Sequence, residues 1–137
     1  MTLLTVGELA KHAGIPTDTI RYYEQRGLIE PEDRTDAGYR LYSADSIRRL
    51  KFIRQTKFLG FTLKEIKALL EIEVTDHATC KDISDHATAK LADVKAQAAE
   101  LSRINKILVD LIALCPADDT PIHECPILDY LYPEENK

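Results

Sequence analysis

From Asp82 to Leu114 the chain contains no glycine and no proline, and Leu91, Val94, Ala98, Leu101, Leu108 and Ile112 recur in steps built of threes and fours. That spacing keeps one apolar stripe on one side of a helix. A helix of about 33 residues at 1.5 Å each is about 50 Å long, more than one small globule can cover. Asn105 lies on the stripe: with Leu91 at heptad position a and Val94 at d, it takes a, Leu108 d, Ile112 a and Cys115 the next d. One buried polar residue at an a position fixes register and partner number in a coiled coil at some cost in stability. The pattern predicts a dimerisation rod over 82–114.

Upstream the period is shorter and more often broken. Residues 5–16 read as a short helix stopped by Gly14, with Leu9, Ala13 and Ile15 on its inner face. Thr17 or Asp18 then caps a second helix, Thr19–Arg26, closed by Gly27. Two short helices around a glycine turn make a helix-turn-helix, whose second helix is placed to enter a major groove. Arg21, Tyr22, Tyr23 and Arg26 all stand on that helix. Between Leu28 and Tyr42 the pattern becomes that of a small hairpin, or wing, with Asp36-Ala37-Gly38 as its turn. Its alternation predicts outward tyrosines and Arg40 around an inward Leu41, with Tyr39 and Arg40 free to reach a phosphate backbone.

Ser43 or Asp45 caps the next helix, Asp45–Leu59, with Ile47, Leu50, Ile53 and Leu59 inside, Arg48, Arg49, Lys51, Arg54 and Lys57 outside, and Gly60 at its end. Thr62-Leu63-Lys64-Glu65 is a capping box opening a helix that buries Ile66, Leu69 and Leu70. Glu71–Thr79 is polar and mixed, a linker ending at Cys80. Beyond the long helix, Cys115 and Cys125 bound a short loop that cannot remain helical past Pro116. Pro126 suits the first position of a small helix through Leu131, leaving Cys125 as its N-cap, and residues 134–137 are expected to be disordered. The fold class is therefore mainly α: a winged helix-turn-helix over 1–70, a linker over 71–81, a long dimerisation helix over 82–114, and a metal-binding loop with a short helix over 115–137.

Charge sharpens this division. Residues 1–70 carry 12 Lys and Arg against 9 Asp and Glu, whereas 71–137 carry 6 against 14, so a net of +3 faces a net of −8 within the overall −5. A nucleic-acid surface belongs to the first half. Met1-Thr2-Leu3-Leu4 is no signal peptide and no apolar run approaches 18 residues, so a cytoplasmic protein without a membrane partner is expected. The three cysteines, Cys80, Cys115 and Cys125, are an odd number and lie in the acidic half, which favours metal ligation or redox sensing over a disulfide framework. No nucleophile-base pair, phosphate-cradling glycine loop or catalytic carboxylate pair emerges, so an enzyme is not expected.

The signature from Val6-Gly7-Glu8-Leu9-Ala10 through Thr19-Ile20-Arg21-Tyr22-Tyr23-Glu24, Gly27-Leu28 and Tyr39-Arg40-Leu41-Tyr42 to Leu50-Lys51-Phe52-Ile53-Arg54 and Leu59-Gly60-Phe61-Thr62-Leu63 closely resembles the MerR-type transcription regulators. The resemblance implies a homodimer whose long helices pair antiparallel, bound to a palindromic operator in double-stranded promoter DNA alongside RNA polymerase. It further implies activation by untwisting and bending that DNA, so that sequence-dependent deformability carries the energy. By position, Thr19, Arg21 and Tyr22 fall where the recognition helix meets DNA, Tyr39 and Arg40 where the wing does, and Arg54 and Lys57 near flanking phosphates. Tyr22 and Tyr23 have the alternative of packing in the domain core.

Three thiols, one before the long helix and two around the loop, resemble the regulators of divalent soft or borderline ions: zinc, cadmium, lead or mercury. Relatives that sense monovalent copper, silver or gold usually have serine at the first position, so Cys80 argues against copper. In an antiparallel dimer Cys80 of one subunit meets the partner's Cys115 and the partner's Cys125. Thiolates at about 2.3 Å suit tetrahedral zinc, with His123, Asp118, Asp119 or water as fourth ligand. His12, His77 and His86 read as surface residues. Thr79-Cys80, the ten-residue step from Cys115 to Cys125, and Cys125-Pro126-Ile127-Leu128 look like the zinc-responsive branch, making Zn2+ the first expectation and Cd2+ or Pb2+ the next. Pro116 and Thr120 stand where that branch has a second cysteine and a histidine, which removes the support for a second ion. Cys115-Pro116-Ala117-Asp118-Asp119 also looks like the copper branch. The expected function is activation of a metal efflux or resistance gene; the alternative is a regulator sensing copper(I) or a thiol-reactive or redox signal through the same cysteines.

Overall fold

The computed structural model describes residues 2–115 and 119–133. The chain forms two compact units, Met1–Lys90 and Leu91–Lys137. In the first, β1 (Leu4–Thr5), α1 (Val6–Ala13), α2 (Thr17–Gln25), β2 (Asp33–Arg34), β3 (Arg40–Tyr42), α3 (Asp45–Phe58) and α4 (Leu63–Glu73) precede α5, which spans Cys80–Leu114. The core is Leu9, Ile20, Leu28, Ile29, Tyr42, Leu50, Ile53 and Ile66, all essentially inaccessible.

Local chemistry sets the boundaries. Thr5 and Glu8 form a reciprocal capping box on α1, whose end is closed by Gly14 at φ 70°. The same box, Thr62 with Glu65, opens α4 as its motif predicts. Thr79 N–H donates to Asp82 Oδ2 at 2.8 Å, and α5 accordingly begins at Cys80, two residues before the predicted start. The helix α2 also starts early, at Thr17, with Pro16 rather than Thr17 or Asp18 at the cap, and α3 is preceded by Ala44 with no side-chain cap. The helix α4 continues to Glu73, into the stretch read as linker.

The wing is a three-stranded antiparallel sheet in the order β1-β3-β2, with Leu4 opposite Tyr42 and Arg34 opposite Arg40. The sequence pattern misassigns two residues. Tyr42 is not outward but fully buried in the core cluster, although it lies on the same sheet face as the exposed Arg40, and Leu41 between them is only partly covered. Leu59 is not inside α3 but half exposed beyond its last turn, while Ser46 and Thr56 occupy buried positions instead. Thr56 is tolerated there because its hydroxyl bonds the carbonyls of Phe52 and Ile53 at 2.8 and 3.0 Å.

The second unit holds the remainder of α5, a one-turn 3-10 helix at Ile122–Glu124 that the sequence pattern does not announce, and α6 (Pro126–Leu131) with Cys125 at its N-cap as predicted. On α5 the stripe residues Leu91, Val94, Leu101, Leu108 and Ile112 are 41–67% exposed, whereas Leu111, off the stripe, is buried. No helix among the described residues is long and apolar enough to cross a membrane.

Candidate nucleic-acid interface and metal centre

The helix α2 has two chemical faces. Ile20 is buried, and Tyr23 packs against the core, where burial raises its phenol above the ordinary tyrosine range. Arg21 and Tyr22 lie outward: Arg21 Nη1 is 4.0 Å from Asp18 Oδ1, and the Arg26 guanidinium sits over the Tyr22 ring at 4.9 Å. Of the two tyrosines, Tyr23 therefore takes the core role and Tyr22 remains at the surface. Thr19, Tyr22 and Lys57 meet with Asp18, Tyr23 and Leu63 around a depression of about 270 Å³, which brings α2 and α3 together at one edge.

The wing sits beside α2. Arg21, Tyr39 and Arg40 line a cleft of about 320 Å³ with Thr5, Thr35 and Tyr42, and Tyr39 is 72% exposed at its mouth. Thr35 shapes the hairpin tip through its hydroxyl, which accepts the Tyr39 N–H at 3.0 Å, and Arg34 donates to the Gly38 carbonyl at 3.0 Å. Arg40 is not a loose cation. Its Nε donates to Glu24 Oε2 at 2.6 Å, and the Tyr42 hydroxyl donates to the other oxygen of the same carboxylate. Burial first, and that bond second, push the Tyr42 phenol up to about 12. Arg54 is likewise engaged, donating to the Ala13 carbonyl at 3.0 Å where α1 ends. Sequence reasoning missed Glu24; its only signal is a carboxylate three residues after Arg21 on the helix expected to meet DNA.

Cys80, Cys115 and Cys125 are all free thiols, Cys80 exposed and the others partly covered. Cys80 lies at the start of α5 on the wall of an apolar cavity of about 500 Å³, with Phe52, Leu59, Phe61, Ile72 and Ile83. Cys115 directly follows α5, and Cys125 stands between the 3-10 turn and α6. His123 on that turn is 79% exposed, its Nε2 4.0 Å from Glu124. Asp119 is exposed, and Asp118 lies outside the described residues. Among the described residues of one chain, no three His, Cys, Asp or Glu side chains converge to hold a metal ion, the set of Asp82, Asp85, His77 and His86 around a shallow depression included. The donors themselves fit a thiophilic ion in type and number, since soft thiolates are what such ions select.

Residues 4–72 match the MerR HTH family regulatory protein, and residues 47–111 match the family's MerR, DNA binding region. The chain is 44% identical over 126 residues to the mercuric resistance operon regulatory protein of Bacillus cereus, covering 92% of this chain and 95% of that one. It is 40% identical over 127 residues to the HTH-type transcriptional regulator ZntR of Escherichia coli K12, covering 92% and 90%. The fold matches the transcription regulator PbrR691 of Ralstonia metallidurans CH34 in complex with lead(II), with TM-score 0.82, 32% identity, and coverage of 94% of this chain and 99% of that one.

Proposed function

This chain belongs to the MerR family of transcription regulators, and from that premise we propose that it acts as a homodimer on promoter DNA and responds to a divalent thiophilic metal ion. It is a DNA-binding regulator and not an enzyme. The DNA surface is the edge formed by Thr19, Arg21, Tyr22 and Lys57 with the wing residues Tyr39 and Arg40. Arg54 supports it by tying α3 to the end of α1.

The observation that carries the sensing role is the distribution of the thiols. Cys80 opens α5, Cys115 and Cys125 follow it, and none has a metal-ligand set within its own chain among the described residues. The bare apolar stripe of α5 supports the same reading, because exposed Leu and Val at heptad spacing require a partner helix. An antiparallel second copy covers that stripe and brings Cys80 to the partner's Cys115 and the partner's Cys125. The ion then exists only where two chains meet, and its capture alters the setting of the two DNA-binding units on a palindromic operator. The promoter is thereby bent and untwisted into a form RNA polymerase reads.

Three thiolates select zinc, cadmium, lead or mercury over hard cations. Zinc requires a fourth donor for its tetrahedron, and His123, two residues before Cys125 and open to solvent, supplies it. The mercuric-resistance relative and the lead(II)-bound relative favour a larger ion than zinc as an equal candidate. A gene for metal efflux or resistance is the natural target. Titrating the apo-dimer with zinc, cadmium, lead, mercury and copper(I) while measuring transcription from its promoter tests this reading. A response to at least one divalent ion, abolished by Cys80→Ser, is expected. Silence toward every ion rejects it, and a response to copper(I) alone reinstates the monovalent alternative.

A further inference from the structure

Glu24 is the anionic side chain at the junction of the recognition helix and the wing, beside a cleft that the proposed function assigns to polyanionic DNA. An unbalanced carboxylate there would repel a phosphate by Coulomb's law. Its two oxygens are instead divided: Oε1 accepts the hydroxyl of Tyr42, a core residue, and Oε2 accepts Nε of Arg40 at 2.6 Å. Tyr42 is buried and paired in the sheet with Leu4, so the carboxylate is fixed at one end to the domain core. At the other end it holds the guanidinium by the Nε corner. Arg40 and Arg21 share the cleft with Tyr39, and the Arg40 side chain remains 42% exposed.

We propose that Glu24 is a positioning residue for DNA binding: braced by Tyr42, it holds Arg40 by Nε so that the guanidinium stays in the cleft shared with Arg21 and Tyr39, where it takes a backbone phosphate. This rests on the DNA-binding reading above and adds to it a residue that does not itself touch DNA. A planar guanidinium presents donors in a rigid fork, so one fixed edge aims the others; a lysine at this place keeps the charge and loses the aim. The residue's value lies in ordering a rotamer-rich side chain before the phosphate arrives, which lowers the cost of binding.

The experiment is a double-mutant cycle on the full-length dimer, measuring affinity over a range of salt for duplex DNA enriched by the wild-type protein from a random-sequence library. Arg40→Ala is expected to weaken binding and to reduce the slope of log affinity against log salt by about 0.9 per subunit, the value of one lost phosphate contact. Glu24→Gln is expected to weaken binding about two- to tenfold in the wild-type background and to have almost no effect in the Arg40→Ala background, because coupled neighbours are non-additive. A Glu24→Gln penalty of equal size in both backgrounds, or tighter binding by Glu24→Gln, overturns the proposal. Should Glu24→Gln fail to fold by circular dichroism, Arg40→Lys decides: weaker affinity with an unchanged salt slope supports it, and wild-type affinity overturns it. Absence of salt-dependent DNA binding by the wild-type dimer removes the regulatory reading itself, whereas wild-type binding with an additive cycle removes only the role of Glu24.

Discussion

Tyr42 ties the wing to the core through one phenol. Its ionisation is pushed up to about 12 by burial and by the Glu24 carboxylate, against an ordinary value near 10, so the folded state holds the proton more tightly than the unfolded chain. The stability from this raised group is complete below the unfolded value and is lost as pH rises through the window from about 10 to about 12. Thermal melts across that window should show a falling melting temperature, and Tyr42→Phe should flatten the Tyr42 share of the fall; an unchanged alkaline limb in the variant contradicts it. Glu65 behaves oppositely. The Thr62 backbone N–H and then Lys90 hold its carboxyl below the usual range, so its contribution is present above the unfolded value and is lost as pH falls through the lowered folded one. In sequence Tyr42 read as an outward wing residue, since two short strands give alternation too little length to fix its phase.

At the level of elements, caps decide where helices begin and end. Thr62→Ala should destabilise the first unit by about 1 kcal/mol, the usual cost of an N-cap side chain, read as a lowered denaturation midpoint. Gly14→Ala should cost about 1–2 kcal/mol, because φ is 70° and the added Cβ meets Arg54 Nη1 at 3.3 Å. The capping box at Thr62 was legible because threonine and glutamate stand three apart before an apolar run; the identical spacing at Thr5 and Glu8 passed unread because the helix after it is short. The strand β1 has two residues and no pattern of its own, and only its partner β3 defines it. The long helix was legible nearly whole, since 35 residues without a breaker give periodicity ample length. Asn105, at the same heptad position as Leu91, Ala98 and Ile112, is proposed as the element's device for register: on that reading Asn105→Leu is expected to raise the dimer's melting temperature while admitting alternative registers, detected as heterogeneous cross-linking between helices. A homogeneous, less stable dimer contradicts that role.

For the whole molecule, residue type and spacing proposed the candidate ligands, and the arrangement of two subunits that would bring them together came only from the family resemblance. Cys80, Cys115, Cys125 and His123 were named from residue type and spacing, yet no metal trio forms among the described residues of one chain. Residue type is written locally, whereas convergence across two subunits depends on a surface that one chain cannot describe. In the proposed dimer each ion is held by Cys80 of one subunit with the partner's Cys115 and the partner's Cys125. Mixing two defective proteins tests this arrangement most directly: Cys80→Ser and Cys115→Ser homodimers each lack every complete site, but their heterodimer regains one. Metal titration of the purified heterodimer in reducing buffer should recover one tight ion per dimer, against two for the wild type and none for either parent. A heterodimer that binds no ion, or a Cys80→Ser homodimer that keeps wild-type affinity, contradicts the account.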